Sequence, residues 1–157
     1  MNSQLLLLFA ATLASLSAAT EPKPSEVLRD MKRVADWQLA NPSKHGVDEW
    51  TQAPFFMGLA NLHQVSGEAG YLAAVDQFGK TVSYGPRPTG TSADNDAVLQ
   101  AWLGLHDRDQ DEAKLLPSIK RFDYLQTAVA NETPKSVSGG SFIWWWCDAL
   151  FMSPAVW

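Results

Sequence analysis

From Ser25 onward the apolar residues recur at helical spacing almost everywhere, and no stretch alternates long enough to make a strand. That spacing confines the chain to the all-α class, in which each helix buries one stripe against another. Ser25 predicts the cap of a first helix reaching about Leu39, with Val27, Met31, Val34 and either Trp37 or Gln38 on one side and Asn41-Pro42 as its stop. Pro54, a favourable first-turn residue, predicts a second helix carrying Phe55, Leu59, Leu62 and His63 and closed by Ser66-Gly67. Further helices are predicted over about Ala69 to Phe78, Asp94 to Leu105 and Pro117 to Ala130, with a sixth beginning near Asp148. Paired in order, they make antiparallel hairpins whose starts, near Ser25, Ala69 and Pro117, recur at roughly 45 residues, the range of repeated helical hairpins.

The run from Leu5 through Leu8, Phe9, Ala10 and Ala11 continues past Leu13 and Leu16 to Ser17-Ala18-Ala19, a small-residue site suited to signal peptidase. Residues 1–19 are therefore expected to be a cleaved leader and residues 20–157 the working domain, secreted or periplasmic. The apolar run is too short and too rich in small residues to rank as a membrane span, and no stable membrane association is expected once the leader is cleaved. It carries no charge, so the formal net charge of −5 belongs to the rest of the chain. Without a cluster of Lys and Arg, such a chain has no footprint for nucleic acid. Cys147 is the only cysteine, which excludes an internal disulfide, and its place beside Trp146 suggests packing. His45, His63 and His106 are scattered without metal-ligand spacing, and no metal site is expected.

Two long loops, Ser83 to Thr91 and Thr133 to Ser141, deliver the chain to helices that open with Asp, and the shorter stretch Asp48-Glu49-Trp50-Thr51 leads into the second helix. One end of the even-numbered helices should thus gather Trp50, Asp94, Asp96, Trp146 and Asp148, and loops collected on a rigid scaffold are where function concentrates. The segment Ser141 to Pro154 sets one carboxylate, Asp148, directly behind Trp144, Trp145, Trp146 and Cys147. Indole faces pack on the apolar faces of sugar rings, and burial beside them lets a carboxyl group remain a general acid. On the residues alone, Asp148 also suits a plain helix cap, and Asp94 and Asp96 suit a cap and a first-turn acid.

Three stretches carry a family likeness: Ala35 to Pro42, Asp48 to Gln52, and above all Trp144-Trp145-Trp146-Cys147-Asp148-Ala149-Leu150-Phe151-Met152-Ser153-Pro154. They resemble the unsaturated glucuronyl and rhamnogalacturonyl hydrolases, glycoside hydrolase families 88 and 105, which share an (α/α)6 barrel of helical hairpins. The resemblance implies that Asp148 is the catalytic acid and base and that Trp146 and Met152 shape the pocket for an unsaturated uronyl oligosaccharide; Trp50 and Thr51, in the loop ahead of Pro54, are expected to line it as well, although Trp50 also suits a staple against the second helix. The resemblance implies no cofactor. A second family carboxylate lies in an Asp-Asp-His-Ala-x-Gly-Gln motif, and the matching stretch here is Asp94-Asn95-Asp96-Ala97-Val98-Leu99-Gln100, which keeps the first Asp and the Gln but has Asn95 for the second Asp. Asp94 is accordingly the expected second catalytic residue.

In that family the substrate carries a C4=C5 double bond left by a lyase. Asp148 would protonate C4 and take a proton back from the water that attacks C5. The chain stops at Trp157, inside what would be the sixth helix, so the resemblance covers the front half of such a barrel. The family's uronate-binding Trp-x-Arg-Gly segment would lie beyond it. The chain is therefore expected to be an inactive or incomplete fragment of such a hydrolase, with a sugar-binding remnant without catalysis and an α-solenoid interaction module as the competing expectations.

Overall fold

In the computed structural model, residues 21–88, 90–131 and 147–156 are described; the expected leader and Trp144 to Trp146 lie outside them. The described residues are all-α. Six α-helices follow in order, α1 (Pro24–Ala40), α2 (Ala53–Ser66), α3 (Ala69–Thr81), α4 (Leu99–Asp109), α5 (Glu112–Asn131) and α6 (Ala149–Met152). Short 3-10 turns at Trp50–Gln52, Ala93–Asn95 and Pro154–Val156 complete the path.

Helical pairing follows the tight turns rather than the loop order expected above. α2 ends at Gly67, whose left-handed φ of 72° favours glycine, and α3 begins two residues later and packs along α2. Gln110, at φ 57°, closes α4 in the same left-handed way and lets α5 fold back on it. The even-numbered α2 and α4 also pack directly on each other. Their contact holds the centre of the core, where Phe56 stacks on Phe78 at 5.0 Å and lies 5.4 Å from Trp102, with Tyr84 edge-on to the same indole at 6.2 Å. Phe56, Leu59 and Leu62, spaced for one face of α2, are sealed, and each such side chain contributes about 1.5–3 kcal/mol on burial. Gly79 is required beside them, because a Cβ there would sit 2.5 Å from the Tyr84 ring.

Several sequence expectations are corrected at the ends of helices. Lys23, two residues ahead of Ser25, takes the cap of α1, and Pro24 opens its first turn. Asp94 opens no α-helix. Ser92 caps a 3-10 turn by accepting the Asp94 N–H at 3.3 Å, and α4 begins only at Leu99. Pro117 lies inside α5, whose start is set upstream by Asp111, its carboxylate accepting the Ala113 N–H at 3.0 Å. Cys147 is exposed, not packed.

Two helices bury the wrong stripe by a hydrophobicity count. α1 packs through Leu28, Ala35 and Leu39, while Val27, Met31 and Val34 line an open groove of about 660 Å³ against Pro54, Phe55 and Gly58 of α2. α5 buries Lys114, Ser118, Arg121 and Leu125, spaced at one helical face, and leaves Leu116, Ile119 and Tyr124 outside. A polar stripe can be buried only if its charges find partners. Lys114 reaches Asp109 and, at 3.1 Å, Asp76; Arg121 reaches Asp96.

Candidate functional site

Asp96 is fully buried, and its pairing organises the end of the molecule where the expected site lies. The Arg121 Nε donates to one carboxylate oxygen at 2.6 Å and the Ser153 hydroxyl to the other at 2.8 Å. Arg121 spends its other nitrogens on the Gly90 carbonyl at 2.8 Å and the Ser92 carbonyl at 3.4 Å, which fixes the loop carrying Asp94. Burial pushes the Asp96 carboxyl above its ordinary value of 3.8, with Arg121 and Ser153 acting in the opposite direction. Gln100, one turn further along, donates to the carbonyls of Phe151 at 2.7 Å and Met152 at 3.4 Å. Asp96 and Gln100 thus moor the segment that follows Asp148 against the turn that carries Asp94, and α6 packs on that turn.

Beside this junction a cavity of about 320 Å³ is lined by Glu49, Trp50, Arg87, Asp94 and Asn95. Trp50 keeps 48 % of its surface exposed. Glu49 is the residue ahead of the 3-10 turn that positions that indole, and its carboxylate is heavily engaged. Oε1 accepts the Gly46 N–H at 3.2 Å and meets the Arg87 Nη1 at 3.3 Å, while Oε2 lies 3.1 Å from the His45 Nδ1. The Gly46 N–H foremost, against some desolvation, and then His45 and Arg87 hold Glu49 below its ordinary 4.5. Gly46 suits this tight loop, where a Cβ would lie 2.8 Å from an Asp48 carboxylate oxygen. Gln52, buried, ties the same loop down by donating to the His45 carbonyl at 3.2 Å.

Trp50 and Asp94, two of the residues expected from sequence, therefore share one cavity. Asn95 joins them there, nearly buried, as an amide that accepts and donates hydrogen bonds but exchanges no proton near neutrality. The Thr51 hydroxyl is buried and has no hydrogen-bond partner among the described residues. Met152 is buried in the core with Ala149 and Val156. Asp148 is exposed and starts α6, its carbonyl accepting the N–H groups of Phe151 at 2.9 Å and Met152 at 3.1 Å. Trp146 lies outside the described residues. No group of His, Cys, Asp or Glu among the described residues is arranged to hold a metal ion.

Glu49 and Arg87 were not anticipated. Each stands in a stretch legible as a loop, Asp48 to Thr51 and Gly85-Pro86-Arg87-Pro88, but nothing local signals that the two loops meet. Asp96 was expected to be a first-turn acid and is instead the buried anchor of Arg121.

The all-α hairpin scaffold agrees with a match of the sequence to the family model of Glycosyl Hydrolase Family 88 over residues 17–157. The chain belongs to that family. It is similar to an unsaturated 3S-rhamnoglycuronyl hydrolase of Formosa agariphila, 28 % identical over 138 residues that cover 84 % of this chain and 37 % of the relative. A protein of the same name from Alteromonas sp. (strain LOR) is 27 % identical over 150 residues, 78 % of this chain and 36 % of that one. The chain thus spans little more than a third of the length of these relatives.

Proposed function

We propose that this chain carries part of the active site of an exported hydrolase of unsaturated uronyl oligosaccharides. Asp148 protonates C4 of the C4=C5 double bond, water adds at C5 and returns its proton to Asp148, and the resulting hemiketal opens to release the neighbouring sugar. Asp94 is the second carboxylate at the site. The observation that carries the reading is the mooring of the Asp148 segment on the Asp94 turn by Asp96 and Gln100, next to a cavity walled by an exposed indole. Family membership and the names of the two relatives support it. Asp148 is exposed among the described residues, so the cover that makes it a proton donor must come from groups other than these or from the bound sugar itself.

The test follows the absorbance of the double bond in an unsaturated uronyl-rhamnose disaccharide. Turnover is expected from a protein completed to the length of the relatives, abolished there by Asp148→Asn and reduced by Asp94→Asn, with both variants retaining the helical far-UV spectrum. Sugar binding with no loss of absorbance would instead favour the non-catalytic remnant, which the exposure of Asp148 makes the second reading. The leader in residues 1–19 is tested by sequencing the exported protein, whose first residue should be Thr20.

A further inference from the structure

The cavity beside Trp50 contains chemistry that the proton-transfer reading leaves unused. Its charged lining is Glu49, Asp94 and Arg87, two carboxylates to one guanidinium, so it offers no net positive charge to a free anionic group. The Arg87 guanidinium stands on Glu49 and is half-exposed, its planar fork still presenting further N–H donors to the cavity. The Glu49 carboxylate, with Oε2 occupied only by His45 among the described residues, retains acceptor capacity. Adjacent donors and acceptors held within one ion pair, next to an exposed indole face, match a ring with neighbouring hydroxyls, each of which donates once and accepts.

From this juxtaposition we infer that Glu49 and Arg87 form a clamp for two vicinal hydroxyls of the sugar ring that lies on Trp50, and that they set the specificity of the site. Glu49 accepts from one hydroxyl and Arg87 donates to its neighbour. The hydroxyl-bearing edge of the ring enters the cavity, and the carboxylate of the substrate points away from it. Both side chains are set before the sugar arrives. Pro86 and Pro88 restrict the backbone on either side of Arg87, Arg121 fixes the Gly90 and Ser92 carbonyls just beyond, and Gly46 and His45 fix Glu49. The inference rests on the proposed sugar-binding role of this end but not on catalysis.

Binding and turnover separate the two. The probes are methyl rhamnoside, its 2,3-di-O-methyl ether and its 3-sulfate, titrated against the full chain while the Trp50 indole N–H is followed by NMR. Methyl rhamnoside should bind, and Arg87→Gln and Glu49→Gln should each weaken it by about tenfold, the size of one charge-assisted hydrogen bond, with Arg87→Lys falling between. Neither variant should change the affinity of the di-O-methyl ether, which offers no hydroxyl pair, although a merely structural role would weaken both ligands alike. Equal losses for the two ligands, no loss for either, or no binding at all overturns the clamp. Tighter binding of the 3-sulfate that vanishes in Arg87→Gln also overturns it, in favour of an anion site. If the disaccharide is turned over while the Arg87 and Glu49 variants leave KM unchanged, the clamp fails and the hydrolase stands. The expected binding pattern without turnover reverses that outcome.

Discussion

The Asp96–Arg121 pair and the Glu49–Arg87 pair share their chemistry and differ in their surroundings. In the first, both side chains are sealed, at 0 % and 4 % exposure, and the arginine is consumed by a carboxylate and two carbonyls. In the second, the side chains are 24 % and 48 % exposed, and the arginine rests on one carboxylate at a cavity mouth. Desolvation is the larger influence on Asp96 and raises it; a backbone N–H is the larger influence on Glu49 and lowers it. A buried pair costs most when one partner is removed, because the survivor cannot rehydrate, whereas an open pair lets water replace the lost partner. The closed pair holds the fold and the open one is free to meet a ligand.

Breaking the closed pair should give the largest effect. Arg121→Met leaves Asp96 charged and buried without its cation, and should cost about 3–5 kcal/mol of unfolding free energy in urea titrations. A loss below about 1 kcal/mol would mean that water reaches Asp96 and that the contrast with Glu49 is one of degree.

The pH dependence of stability sharpens the comparison, since the two carboxylates should pull in opposite directions. A raised carboxyl binds more protons in the folded state, so the contribution of Asp96 is complete below 3.8 and is lost as the pH rises through its folded value. Glu49 is lowered, so its contribution is complete above 4.5 and is lost as the pH falls through its folded value. Subtracting the Asp96→Asn stability curve from the parent curve should leave a difference that shrinks as the pH rises; subtracting Glu49→Gln should leave one that grows. Slopes of the same sign would refute the assignment.

Smallest is the expected effect of the open pair on the fold. Arg87→Gln should leave the urea midpoint within experimental scatter at neutral pH, as exposed pairs usually do. A clear shift would show that the loop around Arg87 supports the core.

The all-α class and the existence of the helices were legible because repeated apolar spacing is a local property. Element ends were less so. Ser92 and Asp94 carry the composition of a helix start, but Asp96 is drawn into the interior by Arg121 and the chain completes a 3-10 turn before α4 begins. Pro117 reads as a first-turn residue, although Asp111 had already capped α5 six residues upstream of it. The inverted face of α5 defeats any hydrophobicity count, since its buried Lys114 and Arg121 are stabilised by carboxylates on other elements. For the same reason Trp50 and Asp94 could be named from sequence, while Glu49 and Arg87, whose meaning comes from a contact 38 residues apart in the chain, could not.

The moorings of residues 151–153 bear on the order of folding. Their partners lie 51 to 57 residues back along the chain, so this segment docks only after α4 and α5 have assembled around Asp96 and Gln100. Closing so long a loop returns no local contact on the way, and each doubling of loop length adds about 0.6 kcal/mol of entropic cost. The amides of Phe151, Met152 and Ser153 should therefore gain protection from hydrogen exchange later than those of α2 and α4 in a pulse-labelling experiment. Protection of all of them in one phase would show instead that the segment following Asp148 condenses together with the core.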